Sequence, residues 1–267
     1  MFRLIAAVIM GSFFSCRIAP VIPFPPTTHA LPASRFYTDA ATFNWQQRDS
    51  AVLQQFYYGN IPAFLKKFVA VHTQITDSIS GKLIKATYYV SPDYWSIGTA
   101  KDWARVCITP MAAQIIADSL HCFLPTAKMV DDIYLQAVVK LSPIPMYAFR
   151  DSTVTMWQHH LIIEGQRRQR SGLIAGIKKD VVLSSKVTTH SKPNRVAIYG
   201  WHTDTGKPIQ PLFAGHVNWY VDYSHGIRLV YEMIWVNGKP MHYRKLLEHP
   251  VYKKLLCNEA ECNFFSY

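Results

Sequence analysis

The sequence predicts an α+β fold in which a helical first half packs on a mainly antiparallel β-sheet formed by the C-terminal part. Three observations point there. Apolar residues recur at helical spacing in capped segments between residues 109 and 167. β-Branched and aromatic residues crowd the stretch from 179 to 242 instead. The Asn237-Gly238 pair, set between "YEMIWV" and "KPMHY", is a hairpin-turn signature.

The elements follow in chain order. "IPAFLKKFVAVHTQI" reads as a passage from helix into strand, and Leu83 to Val90 as a strand stopped by Ser91-Pro92. Thr109 caps a helix that has Pro110 at its first position. Thr126 caps a second, "AKMVDDIYLQAVV", which "LSPIPM" breaks. A third runs from about Ser152 through "TVTMWQHHLIIEGQRR", with Met156, His160, Ile163 and Arg167 on one face. "KKDVVLSS" and "RVAIYGWH" read as strands, with a turn at "TDTGKP". "NWYVDYSHGIRLVYEMIWV" continues the sheet, and "YRKLLEHPVYKKLL" closes the chain as a short helix. No repeat or second linker appears, so residues 34–267 read as a single globular domain.

The N-terminus has another character. Arg3 precedes an apolar run from Leu4 to Phe14, shorter than the roughly 20 residues that a bilayer span needs. It reads as a signal peptide over residues 1–15. The small Ser15 before Cys16 resembles the bacterial lipoprotein signal, which implies a lipid anchor at Cys16 and contact with a membrane; Phe13 and Phe14 depart from that pattern. Ordinary cleavage after Ser15, or near Ala19 or Ala30, is the alternative. Five prolines between Pro20 and Pro32 make residues 16–33 an extended, Pro-rich tether.

A hydrophobic share of 49 % against 17 % charged residues excludes a disordered chain. The net charge of +11 suits an anionic partner such as acidic lipid or a cell-wall polymer. No RNP, zinc-finger or bZIP signature appears, so no nucleic acid is expected. The basic run "GQRRQR" reads as a solvated helix end. Beyond Cys16 there are four cysteines; proximity favours Cys257–Cys262 and Cys107–Cys122, with buried free thiols as the alternative.

Residues able to carry chemistry gather late in the chain: Trp201, His202, His216, Asp222, Ser224, His225 and Arg228. Three readings fit them. In one, Ser224 or another nucleophile attacks an acyl carbon, with His202 or His225 as base, Asp222 orienting it and Arg228 holding the oxyanion. In the second, His202, His216, Asp222 and His225 hold zinc with an open position for water. In the third, the histidines satisfy backbone groups in an aromatic sheet. Trp201, Trp219 and Tyr223 either stack a sugar or pack the core. Elsewhere, His159, His160 and Glu164 read as surface helix contacts, Lys178 and Lys179 as strand-edge charges, and Asp131-Asp132 as solvent-facing.

"SHGIRL" resembles the Ser-His-Gly-Cys-x-Arg signature of the L,D-transpeptidases, and "YGWH" is similar to that family's second histidine segment. The resemblance spans some 30 residues and implies acyl transfer on peptidoglycan through a cysteine on a β-rich fold. Here Ile227 stands where that cysteine would be, so the family's nucleophile is missing. "VAIYGWH", "GKPIQPL", "YVDYSHGIRLV", "LPTAKMVDDIY" and "KKDVVL" together resemble a group of exported bacterial proteins of no established activity. The expectation is thus an exported, envelope-associated hydrolase or transferase in the periplasm or at the cell surface, acting on a cell-wall peptide or glycan. The alternative is a noncatalytic envelope lipoprotein that binds an anionic glycan or peptidoglycan.

Overall fold

The computed structural model describes residues 19–267, so the expected signal peptide and Cys16 lie outside the described residues. Helices α1 (Ala33–Asp39) and α2 (Trp45–Tyr57) lead into strands β1 (Val69–Thr76), β2 (Leu83–Val90), β3 (Ser96–Gly98) and β4 (Trp103–Arg105). Then come α3 (Pro110–Ser119), β5 (Cys122–Phe123), α4 (Ala127–Gln136), β6 (Val139–Lys140) and α5 (Thr153–Arg167). The C-terminal part holds β7 (Ile174–Ala175), β8 (Lys179–Val182), β9 (Arg195–His202), β10 (Pro208–Val217), β11 (His225–Gly226), β12 (Val230–Tyr231), β13 (Met233–Val236) and β14 (Lys239–His242), followed by α6 (Tyr243–Glu248). This is an α+β fold, with helices concentrated early and strands late.

The caps sit where the sequence puts them. Thr109 and Thr126 accept from the backbone N–H groups of Ala112 and Met129, and Ser152 from that of Val154. Asn237 and Gly238, at φ of 45° and 88°, turn β13 into β14 in the expected hairpin.

Two sheets carry the architecture. The larger runs β14-β13-β2-β12-β5, with β1 on β2; the smaller runs β10-β9-β8-β11. β2 is the centre of the larger sheet, pairing Val90 with Val69 on one side and Val230 on the other. An early strand is therefore the spine of a sheet otherwise built mostly from late ones. Pairings are antiparallel except β11 on β8 and β6 on β7. Helix α4 lies between the sheets: Gln136 bonds the backbone of His72 on β1, while Tyr134 stacks on His202 of β9 at 4.4 Å.

The proline-rich segment is extended, as expected, but it does not hang free. Ile22 is buried, and Phe24 and Leu31 pack against the core. Thr27 Oγ1 donates to the carbonyl of Gly59 and Thr28 N to that of Tyr58. Gly59 has φ of 65°, and a Cβ there would sit 2.3 Å from the Pro26 carbonyl oxygen, so only glycine lets the strap lie down. Expected as a tether, residues 19–32 are instead part of the folded body, because apolar side chains between the prolines find a surface to cover. Cys257 and Cys262 form the expected disulfide; Cys107 and Cys122 are buried free thiols, correcting the second pairing.

A buried ion network joins β4 to α5. Arg105 donates from Nε and Nη2 to both oxygens of Asp93 at 2.8 and 2.6 Å, and from Nη1 to Glu164 at 2.8 Å. Removing one partner would leave a buried charge uncompensated, and breaking such a pair typically costs about 3–5 kcal/mol. Asp93→Ala is therefore expected to lower the unfolding free energy by about that amount in urea titration, and an unchanged midpoint would disprove the network's role.

Candidate functional site

The segment from Val217 to Gly226 places the polar cluster. Asp222 caps its own turn: Oδ1 accepts from Ser224 N at 2.8 Å and Ser224 Oγ at 2.6 Å. Its Oδ2 accepts from Arg150 Nη2 at 2.9 Å and from the Tyr220 hydroxyl at 3.3 Å. The turn hands the chain to β11, where His225 pairs in parallel with Lys179 and Gly226 with Asp180. A Cβ on Gly226 would meet Tyr94 Cδ1 at 2.5 Å and Lys178 Cβ at 2.7 Å, so β11 reaches β8 only because glycine is there.

The electrostatics follow from burial. Burial by itself would raise the Asp222 pKa, but attraction to His225, the two Ser224 donors and nearby Lys179 outweigh it and hold the carboxyl at about 2. Burial of His225 lowers its pKa to about 4 despite Asp222, so its imidazole is neutral at pH 7. His225 Nε2 has no hydrogen-bond partner among the described residues and stands 3.9 Å from Asp222 Oδ1. The half-buried His216 and Tyr220 lie over it, with ring centroids at 6.0 and 5.9 Å. Burial also lowers the pKa of His216. Lys179, its pKa lowered by burial, holds Nζ 5.1 Å from the Trp201 ring. The surface edge of this cluster is Arg150, His216 and Tyr220.

The structure brings Asp222, Ser224, His225 and His216 together and corrects the rest. His202 belongs elsewhere: on β9 beside Trp201, it bonds Asp131 at 3.0 Å and stacks on Tyr134, as alternation along the strand turns it toward α4. Asp131 is thus the partner of His202 and of the Tyr199 hydroxyl rather than a solvent-facing charge. Ser224 is fully buried and its hydroxyl donates to Asp222, which makes it a turn-fixing donor in place of a nucleophile. Arg228 is fully buried, donating to the carbonyls of Ser91 and Ile174 at 2.7 and 2.6 Å with Tyr94 beneath it; it is a strut, and no oxyanion can reach it. The zinc reading required His202, His216, Asp222 and His225 to converge, yet no three His, Cys, Asp or Glu side chains among the described residues form a metal-holding group. Of the aromatic trio, Trp201 and Tyr223 are core, and only Trp219, 42 % exposed, faces solvent.

Lys178, Lys179, His159 and His160, read as surface features, are buried polar structure. Lys178 is completely enclosed, its Nζ touching the Tyr223 carbonyl and lying 3.4 Å from both Cys107 Sγ and His159 Nδ1. Lys179, also read as a strand-edge charge, is buried beside Trp201. His160 lies against the Arg105 guanidinium. Arg150, which sequence reasoning passed over, is the side chain that closes the Asp222 turn from outside. Its only signal was a charge next to the helix cap at Ser152.

Compared with family models, with curated proteins and with solved structures, the chain matches none. No helix among the described residues is long and apolar enough to cross a membrane.

Two histidines kept neutral by burial set a pH dependence. Burial lowers the His159 pKa to about 2 and that of His225 to about 4. Unfolded, each would titrate near about 6.5. Below that value the unfolded chain takes up protons that the folded one refuses, so their contribution to stability falls as pH drops toward 4. Buried Asp180, raised to about 6, acts in the opposite direction and is common to wild type and variant. Replacing His159 by Gln should flatten the loss between pH 6 and pH 4 by up to about 1.4 kcal/mol per pH unit. Equal slopes in urea titrations at several pH values would refute this assignment.

Proposed function

We propose that the protein is an exported, envelope-associated enzyme, a hydrolase or transferase acting on a cell-wall peptide or glycan through His225 and Asp222. One observation carries this reading: a neutral, buried imidazole with an unpartnered Nε2 beside a carboxylate fixed by four donors. A neutral imidazole accepts a proton, and the adjacent carboxylate stabilises the imidazolium that results. Because Ser224 is engaged by Asp222, the nucleophile in this reading is water or a substrate hydroxyl. Its proton passes to Nε2 as its oxygen bonds to the acyl or glycosyl carbon, and Nε2 then protonates the leaving group. Arg150 and Lys179 supply positive charge for the developing oxyanion. His216 and Tyr220 cover His225 and have to turn aside for substrate to enter.

The signal-like apolar run from Leu4 to Phe14 and the net charge of +11 support an envelope setting with anionic polymer nearby. A second reading, the noncatalytic binder, is favoured by one feature: the surface edge of the cluster is cationic and aromatic, while the Ser224 hydroxyl is engaged by Asp222.

Incubation with purified peptidoglycan separates the two. Release of soluble fragments by wild type, reduced about 100-fold or more in His225→Gln and Asp222→Asn, is the expected result. Cosedimentation with peptidoglycan in the absence of any release would favour the binder, and neither release nor cosedimentation would refute both.

A further inference from the structure

The polar cluster has a neighbour that its chemistry does not use. A pocket of about 320 Å3 opens between the start of α2 and the segment before Asp222, lined by Phe43, Trp45, Arg48, Asp151, Trp219 and Tyr220 among others. Arg48 forms part of its wall. The Asn44–Gln47 capping box sets the first turn of α2 and turns Arg48 and Asp49 inward. Arg48 is 3 % exposed, yet its Nε and Nη2 have no hydrogen-bond partner among the described residues.

The unpaired edge has a cause. The nearest carboxylate, Asp49, stands 3.9 Å from Arg48 Nε, and its two oxygens are taken by the backbone N–H and hydroxyl of Thr109. Burial raises the Asp49 pKa, which weakens it further as a counter-charge. Nε and Nη2 form one edge of the guanidinium, the pair of parallel donors that grips a carboxylate or phosphate with two bonds. A buried guanidinium with that edge unpaired is costly unless something binds it.

We infer that this pocket binds a sugar-sized ligand bearing an oxyanion, a carboxylate or a phosphate on a hexose-like ring. Arg48, part of the pocket wall, takes the oxyanion by turning its enclosed, unpaired Nε–Nη2 edge toward it. Trp45 and the exposed Trp219 offer flat faces to the ring, and Asp151 accepts from ring hydroxyls. The volume sits at the small end of ligand pockets, which run from roughly 300 to 1,000 Å3. Tyr220 is the shared wall: it lines this pocket and gives its hydroxyl to Asp222. The site does not depend on whether the Asp222 cluster turns a substrate over.

The test uses the purified chain titrated with glucuronate, glucose 6-phosphate and neutral glucose, followed by calorimetry and by the fluorescence of the pocket tryptophans. One or both anions should bind about tenfold or more tightly than glucose, as loss of charged hydrogen bonds implies, and the tighter of the two distinguishes carboxylate from phosphate. Arg48→Gln should erase that preference. Trp219→Ala, at an exposed position where folding is secure, should weaken the anion at least about fivefold even if Arg48→Gln fails to fold. Binding of glucose as tight as the tighter of the two anions, no saturable binding of any probe, or an unchanged affinity in Trp219→Ala would overturn the proposal. None of these results bears on fragment release from peptidoglycan, so the site and the catalytic reading fail separately.

Discussion

Everything around the polar cluster depends on one stretch of chain that belongs to both sheets. Residues 225 and 226 pair with β8 in the smaller sheet, and four residues later Val230 pairs with β2 and β5 in the larger. The crossing between them is held from both sides. Trp95 N donates to the Ile227 carbonyl and Ser91 N to that of Leu229, while Arg228 reaches back to the Ser91 and Ile174 carbonyls. A buried guanidinium is expensive to desolvate, and here carbonyl oxygens and the face of Tyr94 replace water. The position of Asp222 and His225 is fixed by that crossing before any of their own contacts are considered.

The same logic explains why so much polar chemistry lies under the surface. Arg105 with Asp93 and Glu164, Lys178 with Cys107 and His159, and Asp180 with Tyr94 form three buried groups beside the crossing. Each ties together segments that are separate in the chain: Arg105 on β4 with α5, Lys178 before β8 with α5, and Asp180 on β8 with the loop before β3. A satisfied network such as that of the Arg105 guanidinium favours a single arrangement over alternatives of similar compactness. A site that needs a carboxylate held by four donors benefits from such rigid surroundings.

Much of the fold was legible because its signals are local. Thr109-Pro110, Thr126 and Ser152 announce helix starts by their own side chains, and Asn237-Gly238 announces a turn by its tolerance of positive φ. The grouping of Asp222, Ser224 and His225 was legible for the same reason, being one turn. What the sequence could not show was which distant residue each would meet. His202 carries the same residue type as His225, and only the alternation of β9, with Trp201 at φ of 59°, sends it toward Asp131 instead. Lys178 and Lys179 look alike on paper, yet Lys178 is enclosed in a pocket made by three other elements. Arg48 and Arg150 were not singled out, because their meaning lies in partners 60 or more positions away: Thr109 for Asp49, and Asp222 for Arg150.

The crossing also explains what the absence of a cysteine after His225-Gly226 implies. Ile227 is 1 % exposed and packs in the main hydrophobic core, with its carbonyl tied to Trp95 N. A thiol at that position would point into apolar packing, where burial keeps it protonated and unreactive. The residue that gives a transpeptidase its nucleophile would serve here as a core residue. On the side that Asp222 and His225 share with Arg150, His216 and Tyr220, the structure instead leaves a buried neutral base beneath a cationic and aromatic edge.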